Sequence, residues 1–270
     1  MTISVDGCEI GYDVTGSGPP VVLIHGLGAS RVIWSRLRGR LSRDFTVLTY
    51  DLRGSGASHG ASASEELSLS VWSSDLWALL RSLGVSRSAL VGHSLGASIA
   101  LKYALRWPDG VSSLVLMGAD PELSRLAPRM EKTVGLIADV GLPEWVDRYW
   151  STNPPFAAAS VARSPEILDE YRAMVLANDP GCYVRTCLAI ARSESLTDEL
   201  AGIAQPALVI AGGADDRTLP EAGRELSREL GNASFMELAD VGHTMPLEAP
   251  DAVGAAILEF LSSVDGAGPP

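Results

Sequence analysis

The segment Ala89-Leu90-Val91-Gly92-His93-Ser94-Leu95-Gly96-Ala97 decides how the rest of the chain is read. The apolar run 89–92 has strand character and the stretch 95–106 has helical character, so Ser94 falls on the turn between them. A serine on so sharp a turn is forced above the sheet, and Gly92 and Gly96, two residues to either side, leave room for the close packing this needs. Ser94 is therefore a candidate nucleophile. The helix that follows points its unpaired N–H groups and positive dipole end at the serine, where an oxyanion would form during acyl transfer. A bare G-x-S-x-G match is common in a glycine-rich chain, and the plain alternative is a structural turn. The strand before it and the helix after it favour the nucleophile.

A serine hydroxyl is a weak nucleophile, so this reading requires a base and a group that orients the base. His243 lies in the loop-like stretch Ala239-Asp240-Val241-Gly242-His243-Thr244-Met245-Pro246, after a short strand at 234–238 and before a helix starting near Asp251. The chain has four histidines. His25 and His93 flank glycines in turns and His59 lies in a polar loop, which leaves His243 as the candidate base. For the acid, Gly212-Gly213-Ala214-Asp215-Asp216-Arg217-Thr218-Leu219-Pro220 follows the strand at 207–211 and offers two adjacent aspartates. The frame Gly213-x-x-Asp216 with Pro220 four residues on favours Asp216 and leaves Asp215 as a solvated neighbour. Asp120, beyond the strand at 113–117, is the alternative. His25-Gly26-Leu27-Gly28, directly after the strand at 21–24, supplies a second oxyanion donor in the Leu27 N–H, with the Leu95 N–H as its partner. The competing reading of that stretch is a simple glycine turn into the helix at 31–41.

At 270 residues, 46% hydrophobic and 20% charged, the chain can bury a large core. Twenty-one basic against 33 acidic residues give a net charge of −12, which disfavours nucleic acid and anionic membrane as partners. No apolar run approaches the roughly 18 residues of a spanning helix, and Met1-Thr2-Ile3-Ser4-Val5 lacks a charged leader region, so a soluble, cytoplasmic protein is expected. The three cysteines form neither a disulfide framework nor a C-x-x-C pattern, and the histidines are scattered, so no metal is expected. Strands are expected at 3–5 and 9–14, paired through a turn at Asp6-Gly7, and at 21–24, 46–50, 89–92, 113–117, 207–211 and 234–238. Helices are expected at 31–41, 69–83, 95–106, 220–230 and 251–262. The alternation predicts an α/β fold, a mostly parallel sheet with helices on both faces. The segment 120–200 is helical and reads as a cap between two parts of the core, 1–119 and 201–264, with a disordered tail at 265–270. Trp145, Trp150, Phe156, Met174 and Tyr183 are candidate pocket walls, against the alternative of ordinary helix packing. Arg125, Arg129, Arg148, Arg185 and Arg192 are candidate carboxylate binders, most of them expected on the surface. The glycine-rich run 51–58 lacks the residues of a phosphate loop and reads as structural.

Together, His25-Gly26-Leu27-Gly28, Gly92-His93-Ser94-Leu95-Gly96 and Gly242-His243 resemble the α/β-hydrolase superfamily over nearly the whole chain, with the order Ser94, Asp216, His243 matching its serine, acid, histidine order. Trp34, the run Tyr50-Asp51-Leu52-Arg53-Gly54-Ser55-Gly56-Ala57-Ser58 and the stretch Asn178-Asp179-Pro180-Gly181-Cys182-Tyr183 resemble the 3-oxoadipate enol-lactonases. Arg148-Tyr149-Trp150 resembles an arginine-x-tryptophan pair in the lactonase cap. The resemblance implies a cofactor-free hydrolase acting on a small-molecule ester or lactone, with Trp34, Trp145, Arg148 and Trp150 at the substrate. A lyase or C–C hydrolase using the same residues, and a non-catalytic ligand receptor on the same fold, are the alternatives. The sequence sets no oligomeric state.

Overall fold

The computed structural model describes residues 1–60 and 66–265. Thr2–Val5 (β1) and Cys8–Thr15 (β2) form an antiparallel hairpin turning at Asp6 and Gly7, both at positive φ. The next strands are Pro20–Ile24 (β3), Thr46–Tyr50 (β4), Ser88–His93 (β5), Val111–Met117 (β6), Ala207–Gly212 (β7) and Ala233–Leu238 (β8). They join in one sheet of order β1-β2-β4-β3-β5-β6-β7-β8, parallel from β4 to β8 and antiparallel at β1 and β2. Every residue of β5 and β7 is buried, as expected of parallel strands covered on both faces, whereas β8 at the edge alternates with exposed positions.

The core helices are Ser35–Leu41 (α1), Leu69–Ser82 (α2) and Leu95–Arg106 (α3). Between β6 and β7 lies a helical insertion containing Ala127–Val140 (α4), Leu142–Trp145 (α5), a π-helical turn Val146–Trp150, Ala158–Arg163 (α6), Glu166–Leu176 (α7) and Pro180–Ala191 (α8). Pro220–Glu229 (α9), Met245–Glu248 (α10) and Pro250–Asp265 (α11) complete the chain. Local chemistry sets several of the starts. Ser68 caps α2 by accepting the Val71 N–H at 3.2 Å, and Asp179 caps α8 by accepting the Cys182 N–H at 2.7 Å, with Pro180 in the first turn. In the core α1 packs with α11, and α2 with α3. Among the described residues no helix is long and apolar enough to cross a membrane.

Two expectations change. Asp265, placed at the head of the tail, is the last residue of α11, and 266–270 lie outside the described residues. Trp34, expected at the substrate, is fully buried in the core with Leu37 and Leu41, the stripe that spacings of three and four residues generate on a helix. The run 51–58 is structural, as expected. The Asp51 carboxylate takes N–H groups from Arg31 at 2.6 Å and Ala57 at 2.8 Å, and Arg53 forms a buried ion pair with Asp75 of α2 at 2.6 Å.

Candidate active site

The parallel strands β3, β5, β6 and β7 bring their carboxyl ends to one edge of the sheet, and the singled-out residues follow those ends. Ser94, between β5 and α3, has φ 53° and ψ −120°, a backbone state that a non-glycine residue holds at a cost on the order of 1–3 kcal/mol. The surroundings impose it. A Cβ on Gly92 would run into the Gly96 carbonyl oxygen, and one on Gly96 into that of Ile24 at the end of β3. Ser94 donates its own N–H to the Met117 carbonyl of β6 at 2.8 Å.

His243 follows β8, and its Nδ1 hydrogen-bonds the Oδ2 of Asp215 at 2.8 Å. With Nδ1 as the donor, Nε2 carries the lone pair. The structure thus corrects the choice of acid. Asp215 is 3% exposed, and its Oδ1 accepts the N–H groups of Arg217 at 2.7 Å and Thr218 at 3.0 Å, which turn the carboxylate inward. Burial pushes the Asp215 carboxyl up, but the charge and hydrogen bond of His243 and the two amides outweigh it, and the group lies below its ordinary value. The Asp216 side chain points outward, 60% exposed, and pairs with Arg217 at 2.9 Å and Arg129 at 4.0 Å. Asp120 does not meet the imidazole either. It accepts the Glu122 N–H at 2.8 Å and faces Arg125 at 3.5 Å.

Two buried histidines left aside in the sequence hold this assembly. His93 Nε2 donates to the carbonyl of His243 at 2.7 Å, fixing the backbone of the candidate base. His25 Nε2 accepts the Leu52 N–H at 2.9 Å, so Nδ1 is the protonated nitrogen and donates to the Gly26 carbonyl at 2.8 Å. In a trans peptide the carbonyl and the following N–H point opposite ways, so this bond also aims the Leu27 N–H. Tyr171 of α7 donates to the Leu27 carbonyl at 2.9 Å. Gly26 lies against the serine, where a Cβ would come 3.0 Å from that of Ser94. Leu27 and Leu95 both border the same cavity as Ser94 and His243.

That cavity has a volume of about 560 Å³, within the range of roughly 300–1,000 Å³ usual for small-molecule sites. Trp145, Trp150 and Tyr183 line it as expected, Trp150 stacked on Tyr171 with ring centroids 5.8 Å apart. Phe156 packs edge-on against Tyr171 instead, and Met174 is buried among the core residues. Arg148 is not at the cavity. Its side chain is 63% exposed and paired with Glu144, one helical turn earlier. Arg185 and Arg192 border a different surface hollow. The cations on the wall are Arg129, Lys132 and Arg217, of which only Arg129 was singled out in the sequence. Among the described residues no three histidine, cysteine or acidic side chains group as a metal site.

Residues 19–250 match the family model of the alpha/beta hydrolase fold, and the chain belongs to that family. The enol-lactonase from Burkholderia xenovorans LB400 is 28% identical and superposes with a TM-score of 0.87, covering 97% of this chain and all of its own. A thermophilic esterase from Thermogutta terrifontis is 27% identical with a TM-score of 0.86, covering 97% of each chain. A fluoroacetate dehalogenase from Burkholderia sp. is 29% identical over 290 residues, 96% of this chain and 92% of that protein. The family is thus one of hydrolases, with different bonds cleaved by different members.

Burial and the neighbouring His243 hold His93 at about 3, well below the ordinary 6.5, so it is neutral in the folded protein. On unfolding it takes up a proton below pH 6.5. Between pH 6.5 and 3 the unfolded chain therefore binds more protons than the folded one, and stability falls as pH drops through that window. Thermal melts are expected to show a falling Tm below pH 6.5, with a shallower slope in His93→Gln. Equal slopes in the two proteins would contradict this.

Proposed function

We propose that the protein hydrolyses a carboxylic ester or lactone through an acyl-enzyme on Ser94. One observation carries this reading: a serine on a strained strand-to-helix turn shares a cavity wall with a histidine whose Nδ1 is bound by a buried carboxylate. In the proposed reaction His243 Nε2 takes the hydroxyl proton as Ser94 Oγ bonds to the carbonyl carbon. The carbonyl oxygen becomes the oxyanion and is met by the N–H groups of Leu27 and Leu95. Collapse breaks the bond to the alkoxy oxygen, which takes the proton from the imidazolium; in a lactone that oxygen stays tethered to the acyl group. Water then gives a proton to His243 and attacks the acyl carbon, and Ser94 departs with its proton restored. Asp215 keeps Nδ1 protonated and stabilises the imidazolium. A placed acid-base contributes about 10²–10⁴-fold and each oxyanion donor about 10²–10³-fold, so these groups suffice without a metal or cofactor.

The cavity wall supports a substrate that carries a carboxylate. On a chain of net charge −12, Arg129, Lys132 and Arg217 border this cavity and, among the described residues, no aspartate or glutamate does. Arg217 donates to Asp216 and to the Asn153 carbonyl, so its guanidinium is fixed. Burial and the like charge of Arg129 lower it from its ordinary value, although Asp216 already pairs with both arginines, and a substrate carboxylate would add a second anion to this cluster from the cavity side. Arg217 thus takes the role expected of Arg148, while Trp145, Trp150 and Leu136 form the apolar wall. The likeness to an enol-lactonase and to an esterase supports both a cyclic and an open-chain ester.

The test is a panel of matched neutral and carboxylate-bearing esters and lactones, with products identified. Asp215→Asn should lower kcat by on the order of 10³–10⁴-fold, whereas Asp216→Asn should cost less than about tenfold. The reverse would return the role to Asp216. Cleavage of carbon–carbon bonds but not esters would replace the reaction class, and binding with no turnover would make the protein a receptor. Arg217→Ala should reduce the acidic-to-neutral ratio of kcat/KM by on the order of tens-fold, and an unchanged ratio would remove the carboxylate from the substrate.

A further inference from the structure

Glu248 ends the four-residue helix α10, is 5% exposed, and is absent from the machinery described above. Its Oε2 accepts the N–H of Gly242 at 2.8 Å, and its Oε1 that of Thr244 at 2.8 Å. The two amides that flank His243 are thus bound to one carboxylate. A third bond reaches outside this loop, from the Ala157 N–H, immediately before α6 of the insertion, to Oε2 at 2.9 Å. Arg163, the last residue of α6, donates to the Glu248 backbone carbonyl at 3.3 Å. Thr244 Oγ1 donates to the Pro155 carbonyl at 2.8 Å, and Pro155 borders the cavity. Gly242 seats directly on the insertion, since a Cβ there would come 2.5 Å from Ala157 N.

Capping a short helix needs only the Thr244 bond. The bonds to Gly242 and Ala157 exceed that need, and hydrogen bonds to an ionised acceptor are about twice as strong as neutral ones. One carboxylate therefore binds both the start of α6 in the insertion and the two amides that flank His243. We propose that Glu248 is a positioning residue that couples the cap to His243, so that the histidine is placed for proton transfer only while the 155–163 segment is docked. It touches no reacting atom and acts through the backbone of Gly242 and Thr244. The catalytic consequence rests on the hydrolase reading above; the coupling itself does not.

The test combines labelling and hydrogen exchange on the full chain. A serine-directed phosphonate labels Ser94 at a rate that depends on His243, and Glu248→Gln should slow it by on the order of 10–100-fold, the scale of a misplaced catalytic group. Exchange should rise together in peptides covering 155–163 and 241–248. A role limited to capping α10 predicts a lower Tm, faster exchange at 241–248 alone and an unchanged labelling rate, and that result would overturn the proposal. Should Glu248→Gln fail to fold, native-state exchange of the unaltered protein decides: the coupling requires protection at Ala157, Gly242 and Thr244 to be lost with one denaturant dependence, and separate dependences would refute it. Failure of the unaltered protein to label would count against the hydrolase reading alone, leaving the exchange result to judge the coupling.

Discussion

The close approach of backbones at the β5–α3 junction is the constraint from which the rest of the site follows. With the Ile24 carbonyl beneath Gly96 and the Gly96 carbonyl beside Gly92, no side chain fits at either glycine, and the chain between them turns with Ser94 at φ 53°. That conformation is unfavourable in isolation and persists because neighbouring strands over-determine it. The order β3-β5-β6 supplies them: β3 delivers the Gly26-Leu27 loop against the serine, and β6 accepts the serine N–H through Met117. A serine at any other strand end in this sheet would lack both the neighbouring loop and the helix dipole of α3.

Around that turn most of the buried polar groups meet a partner, His93 Nδ1 being an exception. His243 is bound at its ring by Asp215 and at its carbonyl by His93. His25 orients the loop that bears Leu27, and Asn178 of the insertion donates to the Gly28 carbonyl at 3.2 Å. Each of these groups would be costly to bury without its partner, so the network resists adjustment and keeps a few backbone positions fixed relative to one another. The apolar wall of the cavity can then vary without moving Ser94 and His243, consistent with a family whose members cleave different bonds.

Most of this was legible in the sequence. Period-two and continuous apolar runs located the strands to within a residue or two, because burial on both faces leaves a strong signature in parallel sheets. The serine and histidine were legible because the glycines around them report backbone crowding. The acid was not, because Gly212-Gly213 allows two frames. Gly212 is the last residue of β7, and counting from it rather than from Gly213 arrives at Asp215. Trp34 follows the loop in sequence, but its spacing of three and seven residues to Leu37 and Leu41 is that of a core stripe, and burial there takes it away from the cavity. Arg148 carried its own warning in Glu144 four residues earlier. Arg217, His93 and Glu248 meet distant segments, Asn153, the His243 carbonyl and Ala157, in contacts that no local pattern encodes.

The central claim is that bond cleavage passes through a covalent intermediate on Ser94. Intact-mass analysis of the protein, mixed with an activated ester and quenched in acid within milliseconds, tests it directly. The account predicts one added acyl mass per chain, mapping to the peptide that contains Ser94 and decaying as product carboxylate appears. Ester turnover with no adduct at any quench time, or an adduct on another residue, would contradict it.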